Sequence, residues 1–209
     1  YSAEVAALTQ AGGDILVVVG YLDQGGKGII QSSLDAGAFD QFFLPDAMIG
    51  ESLVKAIGPD LNGSIGTVPG TDSNGAQIYA DLAKKDGFDA GPYSPEAYDA
   101  AALTLLAMQA ANSTDSNAVK AKIFDVANAP GTPILPGDLA KGLQILKDGG
   151  EIDYVGATAV ELIGAGESAG SYREILVKDS KNTTVNYSMK EVYIPNAKRY
   201  SCQDLYLYE

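Results

Sequence analysis

Residues 15–37 read ILVVVGYLDQGGKGIIQSSLDAG, and this stretch decides the fold class. Ile15 to Val19 run unbroken and apolar up to Gly20, the pattern of a strand buried on both faces in a parallel sheet. After a turn, Ile29, Ile30 and Leu34 follow at spacings of one and four, which predicts an amphipathic helix. Gly37 stands just past that helix, where a left-handed backbone must be tolerated. Phe42-Phe43-Leu44 supplies a second strand, stopped by Pro45-Asp46. Strand, helix and strand in one sheet imply a right-handed crossover. Ligands of open α/β sheets sit beyond the carboxyl ends of the strands. Tyr21 and Asp46 occupy two such ends.

Outward from this core, Ser2 to Ala11 predicts a helix ended by Gly12-Gly13. It feeds a buried parallel strand yet has no strand ahead of it, so the chain is expected to continue a fold begun elsewhere. The start, Tyr-Ser-Ala-Glu, is neither an initiator methionine nor a signal peptide. On the other side come a short helix (51–57) stopped by Gly58-Pro59 and a strand over 64–68. The loop 69–75 is the expected crossing between two lobes. A helix over 76–85 is followed by the rigid turn Gly91-Pro92-Tyr93-Ser94-Pro95, with Ser94 expected to cap a long helix reaching Ala111. The stripe Ala97, Ala101, Leu105 and Met108, flanked by Leu103 and Leu106, predicts burial of that helix nearly all round. Helices over 117–128 and 138–146 enclose a loop at 130–137. Strands are expected at 154–155, 158–162 and 172–177, with one or two more in 184–194. Residues 197–209 carry no clear pattern.

Composition removes several function classes. With 209 residues, 46% apolar content and 24 glycines, the chain suits one large α/β domain or two small lobes. A formal charge of −13 argues against nucleic acid and against anionic membrane surfaces. No apolar run approaches the length of a membrane helix. The one cysteine, Cys202, cannot form an internal disulfide or a cysteine-built zinc site.

The motifs point to binding rather than catalysis. Gly20 to Gly28 (GYLDQGGKG) has glycines and a lysine after a strand, but the spacing of a phosphate loop fails, and the dinucleotide fingerprint GxGxxG is absent. No cofactor and no metal are expected. There is no histidine base and no GxSxG elbow. Asp23 and Asp46 could act as an acid–base pair, although Asp23 reads better as an N-cap. Asp46 has two readings that stay open here: a carboxylate receiving an ammonium group, or a turn residue before the 51–57 helix. Tyr21 either packs on an aliphatic ligand or covers the core edge. Tyr93, held between two prolines, either meets a ligand at little entropic cost or packs at a hinge. Tyr98 reads as core. Four Asn-x-Ser/Thr sequons, beginning at Asn62, Asn112, Asn182 and Asn186, carry no weight in so polar a chain.

Three stretches together resemble a known family: GPYSPEAYDAAAL (91–103), LPGDLAKGLQILKDGGEIDYVGAT (135–158) and GSYREILVKD (170–179). They are similar to the periplasmic solute-binding proteins of branched-chain amino acid ABC transporters, the type 1 leucine/isoleucine/valine-binding group. SAEVAALTQAGGDILVVVGY (2–21), GIIQSSLDAG (28–37) and FFLPDAMIGESLVKAIGPDLNGSIGT (42–67) fit the second lobe of that group. The resemblance implies an α/β, type 1 periplasmic-binding-protein fold of two Rossmann-like lobes with parallel sheets, incomplete at its N-terminus. It implies lobe two over 1–69, later lobe one over 70–168, a return to lobe two over 169–180, and an unplaced tail over 181–209.

It further implies a non-catalytic protein that captures a small amphipathic, amino-acid-like solute in the periplasm and passes it to an ABC permease. The alternative on the same fold is a ligand-sensing regulator for amides or related molecules, and a third class is a carboxylate-pair enzyme. By resemblance Tyr21 matches the aromatic lining the lobe-two face, Asp46 the acid that accepts the ligand ammonium, and Tyr93 the aromatic near the hinge. The groups that hold the ligand carboxylate in the family belong to an earlier half. That half, or another chain, is therefore an expected partner.

Overall fold

The computed structural model describes residues 1–88, 90–164 and 167–189 and divides into two compact units. Unit one joins Tyr1–Gly70 to Tyr172–Ser188, and unit two begins at Thr71 and runs to Ser171.

The first segment of unit one opens with α1 (Ser2–Ala11), which ends at Gly12 with φ 77°. Then follow β1 (Leu16–Val17), an irregular helical turn Leu22–Gly26, α2 (Lys27–Asp35) and β2 (Phe42–Leu44). A tight turn Asp46–Met48 leads into α3 (Glu51–Ile57), and a second turn Gly58–Leu61 leads into β3 (Ile65–Pro69). The end of α2 explains why Gly37 is glycine. At φ 60° it lets its own N–H bond to the Leu34 carbonyl at 3.0 Å and the Ala38 N–H to the Ser33 carbonyl at 2.9 Å. Two of the orphan carbonyls of the last turn are thereby satisfied.

Unit two runs α4 (Asn74–Lys85), α5 (Ser94–Ala111), α6 (Ser116–Ala127), β4 (Thr132–Ile134), α7 (Leu139–Lys147), β5 (Ile152–Tyr154), β6 (Leu162–Gly164) and β7 (Glu167–Ser168). Ser73 caps α4 by accepting from the Ala76 N–H, and Asp115 caps α6 by accepting from Asn117 and Ala118. β4 and β5 pair in parallel, and their core holds Leu106, Val126, Ile134, Ile152 and Tyr154. The chain then returns to unit one through β8 (Ser171–Lys178) and β9 (Lys181–Met189). Unit one thus has a five-stranded sheet in the order β1-β2-β3-β8-β9, with β1 to β3 parallel and β8 antiparallel to β3. Its core gathers Phe42, Leu44, Val68, Ile175 and Val177 under Ile30, Leu53 and Val54.

Several sequence expectations change. The run Ile15–Val19 is not buried on both faces: it alternates, with Val18 at 3% exposure and Val19 at 82%. β1 lies at the sheet edge, and the helices α2 and α3 cover the face of Leu16 and Val18 only. On the opposite face Ile15, Val17, Ile65 and Tyr172 remain exposed.

Helix α5 is likewise one-sided. Ala97, Ala101 and Leu105 are exposed, and the buried face is Asp99, Ala102, Leu106 and Ala107. Ser94 does not cap α5: Tyr93 holds the cap position, and the Ser94 hydroxyl donates back to the Gly91 carbonyl at 2.7 Å. The expected loop at 130–137 contains β4, because Pro133 stands in a two-stranded pairing that leaves its nitrogen at a free edge. The expected strand at 158–162 is instead a turn, with β6 beginning only at Leu162. A strand expected within 184–194 is β9, which starts earlier, at Lys181, and is described to Met189. Residues 190–194, the 197–209 tail and Cys202 lie outside the described residues.

Candidate functional site

In unit one the residues after β1 and β2 form two turns that pack on each other. Tyr21 is extended, and its carbonyl accepts from the Gln24 N–H at 3.2 Å and the Gly26 N–H at 3.1 Å. Its ring is 64% exposed. Gly26 is buried, and a Cβ there would lie 2.5 Å from Met48 Cε and 2.8 Å from the Tyr21 carbonyl oxygen. Only glycine lets the Leu22–Gly26 turn settle against Met48. Across the same junction, a Cβ on Gly50 would meet Leu22 Cδ1 at 2.6 Å. Tyr21 and Asp46 therefore stand on neighbouring, interlocked turns at the carboxyl ends of adjacent parallel strands.

Asp46 is half-buried and opens its turn by accepting the Ala47 N–H on Oδ1 at 2.7 Å. Among the described residues nothing donates to Oδ2. Asp23 caps neither the Leu22–Gly26 turn nor α2. Its Oδ1 takes the Lys27 ammonium at 2.5 Å, a surface pair worth little to stability. The glycines of GYLDQGGKG have a steric use too: the Tyr1 ring lies over Gly25 and Gly28, where a Cβ on Gly28 would be 2.8 Å from the ring.

In unit two, Tyr93 adopts φ 66°, a left-handed backbone that is uncommon for a side chain of this size. Its ring is 42% exposed at the start of α5. One turn on, Tyr98 is half-buried, packs against Tyr79 with ring centres 5.3 Å apart and planes tilted by 56°, and accepts the Gly137 N–H at 3.0 Å.

The residue that sequence reasoning missed is Asp99, exposed by only 3%. Its carboxylate accepts from the Tyr154 hydroxyl, the Ala157 N–H and the Thr158 N–H at 2.8 Å each, and from the Thr158 hydroxyl at 2.7 Å. Desolvation, reinforced by the Asp99 charge, pushes the Tyr154 hydroxyl well above the usual tyrosine range. Asp99 ties α5 to the turn after β5. A signal was available: Asp99 lies three and seven residues before Ala102 and Leu106, on the buried face. Two shallow grooves of unit two, one by Lys84 and Phe88 and one by Leu105 and Met108, include none of Tyr21, Asp46 and Tyr93. No three His, Cys, Asp or Glu side chains converge as a metal cluster among the described residues.

Solved structures with this arrangement share a fold. The leucine-binding protein LivK of Thermotoga maritima superposes with a TM-score of 0.68 at 16% identity, over 89% of this chain and 47% of its own. A type 1 periplasmic binding protein of Bordetella pertussis gives 0.62 at 18% identity, over 88% and 49%. The chain has the type 1 periplasmic-binding-protein fold. A branched-chain amino acid ABC transporter protein of Thermus thermophilus with bound valine gives 0.54 at 17% identity, over 90% and 49%. The chain thus spans about half the length of the solved proteins it matches. In sequence, 82 residues are 37% identical to the chemotactic signal transduction system substrate-binding protein BasB of Halobacterium salinarum, covering 39% of this chain and 20% of BasB. No protein-family model matches. Among the described residues no helix is long and apolar enough to cross a membrane.

Proposed function

We propose that this chain belongs to a non-catalytic, periplasmic solute-binding protein that captures a small amphipathic solute, an aliphatic amino acid, and delivers it to an ABC permease. The observation that carries this reading is the juxtaposition of Tyr21 and Asp46 on interlocked turns beyond adjacent parallel strands, in a fold shared with solute-binding proteins. Tyr21 packs on the aliphatic part of the solute, Asp46 Oδ2 receives its ammonium group, and Tyr93 of unit two contributes a second aromatic contact. In lobe terms, 1–69 and 169–180 are lobe two and 70–168 later lobe one. The face of the unit-one sheet on which Ile15, Val17 and Ile65 are exposed is covered, on this reading, by a preceding half of the same polypeptide or by another chain. Parallel strands are ordinarily covered on both faces.

The test is calorimetry of the intact protein with a panel of aliphatic amino acids. Binding without turnover is expected, weakened by Tyr21→Ala and by Tyr93→Ala. If both variants bind like the parent, the site lies elsewhere. Turnover of any solute would restore the enzyme reading. The likeness to BasB favours a second use of the same binding event, presentation of the loaded protein to a sensory receptor. Pull-down with solute present distinguishes permease from receptor.

A further inference from the structure

We infer that Asn112 is a modification site, the acceptor of an N-linked glycan. The inference goes beyond solute binding but rests on the exported location proposed above, since lipid-linked glycans are transferred on the far side of a membrane. The chain holds four Asn-x-Ser/Thr sequons, beginning at Asn62, Asn112, Asn182 and Asn186, which the sequence alone leaves equivalent. In a folded chain the motif needs a free carboxamide, a reachable hydroxyl two residues on, and a surface loop rather than a paired strand. Asn62 fails, because its Oδ1 accepts the Ser180 N–H at 3.0 Å and Ser64 is fully buried. Asn182 and Asn186 lie inside β9, the former half-buried, and the hydroxyl that completes the second of these sequons, on Ser188, is hydrogen-bonded to Glu174.

Asn112 meets every requirement. It closes α5 with a left-handed backbone (φ 44°, ψ 42°) and opens the short loop to α6. Asn112 and Thr114 are both exposed, and neither side chain makes a hydrogen bond among the described residues. The residues beside them hold the loop instead: the Ser113 hydroxyl accepts the Asp115 N–H at 3.0 Å, and Asp115 caps α6. A left-handed cap favours asparagine, which accounts for Asn112 but not for the unpaired hydroxyl two residues on. Leu105, Met108 and Leu143 line a shallow groove whose rim includes Asn112 and Thr114, so the first sugar has an apolar floor to lie on. In the transfer, the Asn112 carboxamide nitrogen attacks the anomeric carbon of a lipid-linked glycosyl phosphate or diphosphate. The C–N bond forms as the anomeric C–O bond breaks. The lipid phosphate leaves with the electron pair, and the nitrogen gives one proton to a base of the transferase. The 18 residues of α5 span about 27 Å, which puts the glycan at the opposite end of the helix from Tyr93.

The experiment is mass spectrometry of the protein isolated from its own cells and digested with trypsin. Cleavage leaves Asn112 as the one sequon in peptide 86–120, Asn62 in 56–84, and the last two sequons together in 182–190. Peptide 86–120 is expected to carry a mass increment made of monosaccharide residues, which fragmentation places on Asn112. Asn112→Gln and Thr114→Ala should each abolish the increment, and Thr114→Ser, which keeps the hydroxyl, should retain it. All three variants should bind amino acids in calorimetry as the parent does. An unmodified peptide 86–120 overturns the inference, as does an increment carried by the Ser113 or Thr114 oxygen or one that survives Asn112→Gln. An increment confined to 56–84 or 182–190 overturns it as well. Cell fractionation separates this failure from that of the proposed function: unmodified protein outside the cytoplasmic membrane leaves the exported binding protein standing, and unmodified protein in the cytoplasm takes that reading down too.

Discussion

Asp46 and Asp99 are both carboxylates in an apolar setting, one in each unit, and they are used in opposite ways. Asp99 is sealed in and accepts four hydrogen bonds, so its acceptor capacity is taken up by the chain itself. Asp46 is half-buried and spends one oxygen on the Ala47 N–H, leaving the other without a donor among the described residues. A carboxylate that the protein satisfies completely is holding something together. One that the protein satisfies by half, beyond the end of a strand, keeps an oxygen open to water or, on the proposed reading, to a solute's ammonium group.

The sharpest way to break this contrast is Asp99→Ala. It strands four donors, each costing about 1–3 kcal/mol where it is buried without an acceptor, and should lower the urea midpoint more than any other variant named here; a loss below about 1 kcal/mol would mean that water replaces the carboxylate. Asp46→Asn is the mirror experiment. Binding of an amino acid should weaken by about 2–5 kcal/mol, while the urea midpoint barely moves. Equal losses of stability in the two variants would erase the distinction.

Gly26→Ala sharpens it from the side of the backbone. The new methyl collides with Met48 and the Tyr21 carbonyl and should cost about 1–3 kcal/mol, displacing the two turns together. Weakened binding that Met48→Ala partly restores is the expected result. A neutral outcome would show that the interlock of the turns does not position Asp46.

The smallest effect concerns a third carboxylate. Burial raises the Asp153 pKa above its ordinary value, and Glu161 is raised by burial and by the Asp153 charge. The folded state therefore holds these protons more tightly than the unfolded chain. The stability this confers is present below the unfolded pKa, near 4, and is lost as pH climbs through the folded value. Asp153→Asn should raise the melting midpoint at pH 7, with an advantage that shrinks on acidification. A pH-independent difference would assign the change to packing instead.

How much of this was legible in the sequence follows from what each residue depends on. Ile29, Ile30, Leu34 and Gly37 answer to local periodicity and to a backbone angle, and the helix and its stop stand where they were expected. Tyr21 and Asp46 could be placed beyond strand ends because strand ends are local too. The exposed side of Ile15–Val19 was not legible, since an apolar run does not say how many layers cover it. β4 was hidden by Pro133, which reads as a loop until its edge position is known. Asp99 owes its meaning to partners far along the chain, Tyr154 and Thr158. No local pattern carries such information.

Unit one is written in two pieces, with residues 71–171 of unit two between Gly70 and Tyr172. Strand β3 must therefore wait for β8, whose first partner for Pro69 is Tyr172. During synthesis, unit two is a continuous stretch that leaves the ribosome while the unit-one sheet still ends in an open β3 edge. Pairings across so long a loop form slowly, because the loop must close before any contact rewards it. Unit two is the part able to fold as it emerges, and the sheet that carries Tyr21 and Asp46 is finished last. A nascent chain halted before residue 171 would hold the 71–170 stretch of unit two with a unit-one sheet two strands short, the kind of species that chaperones recognise.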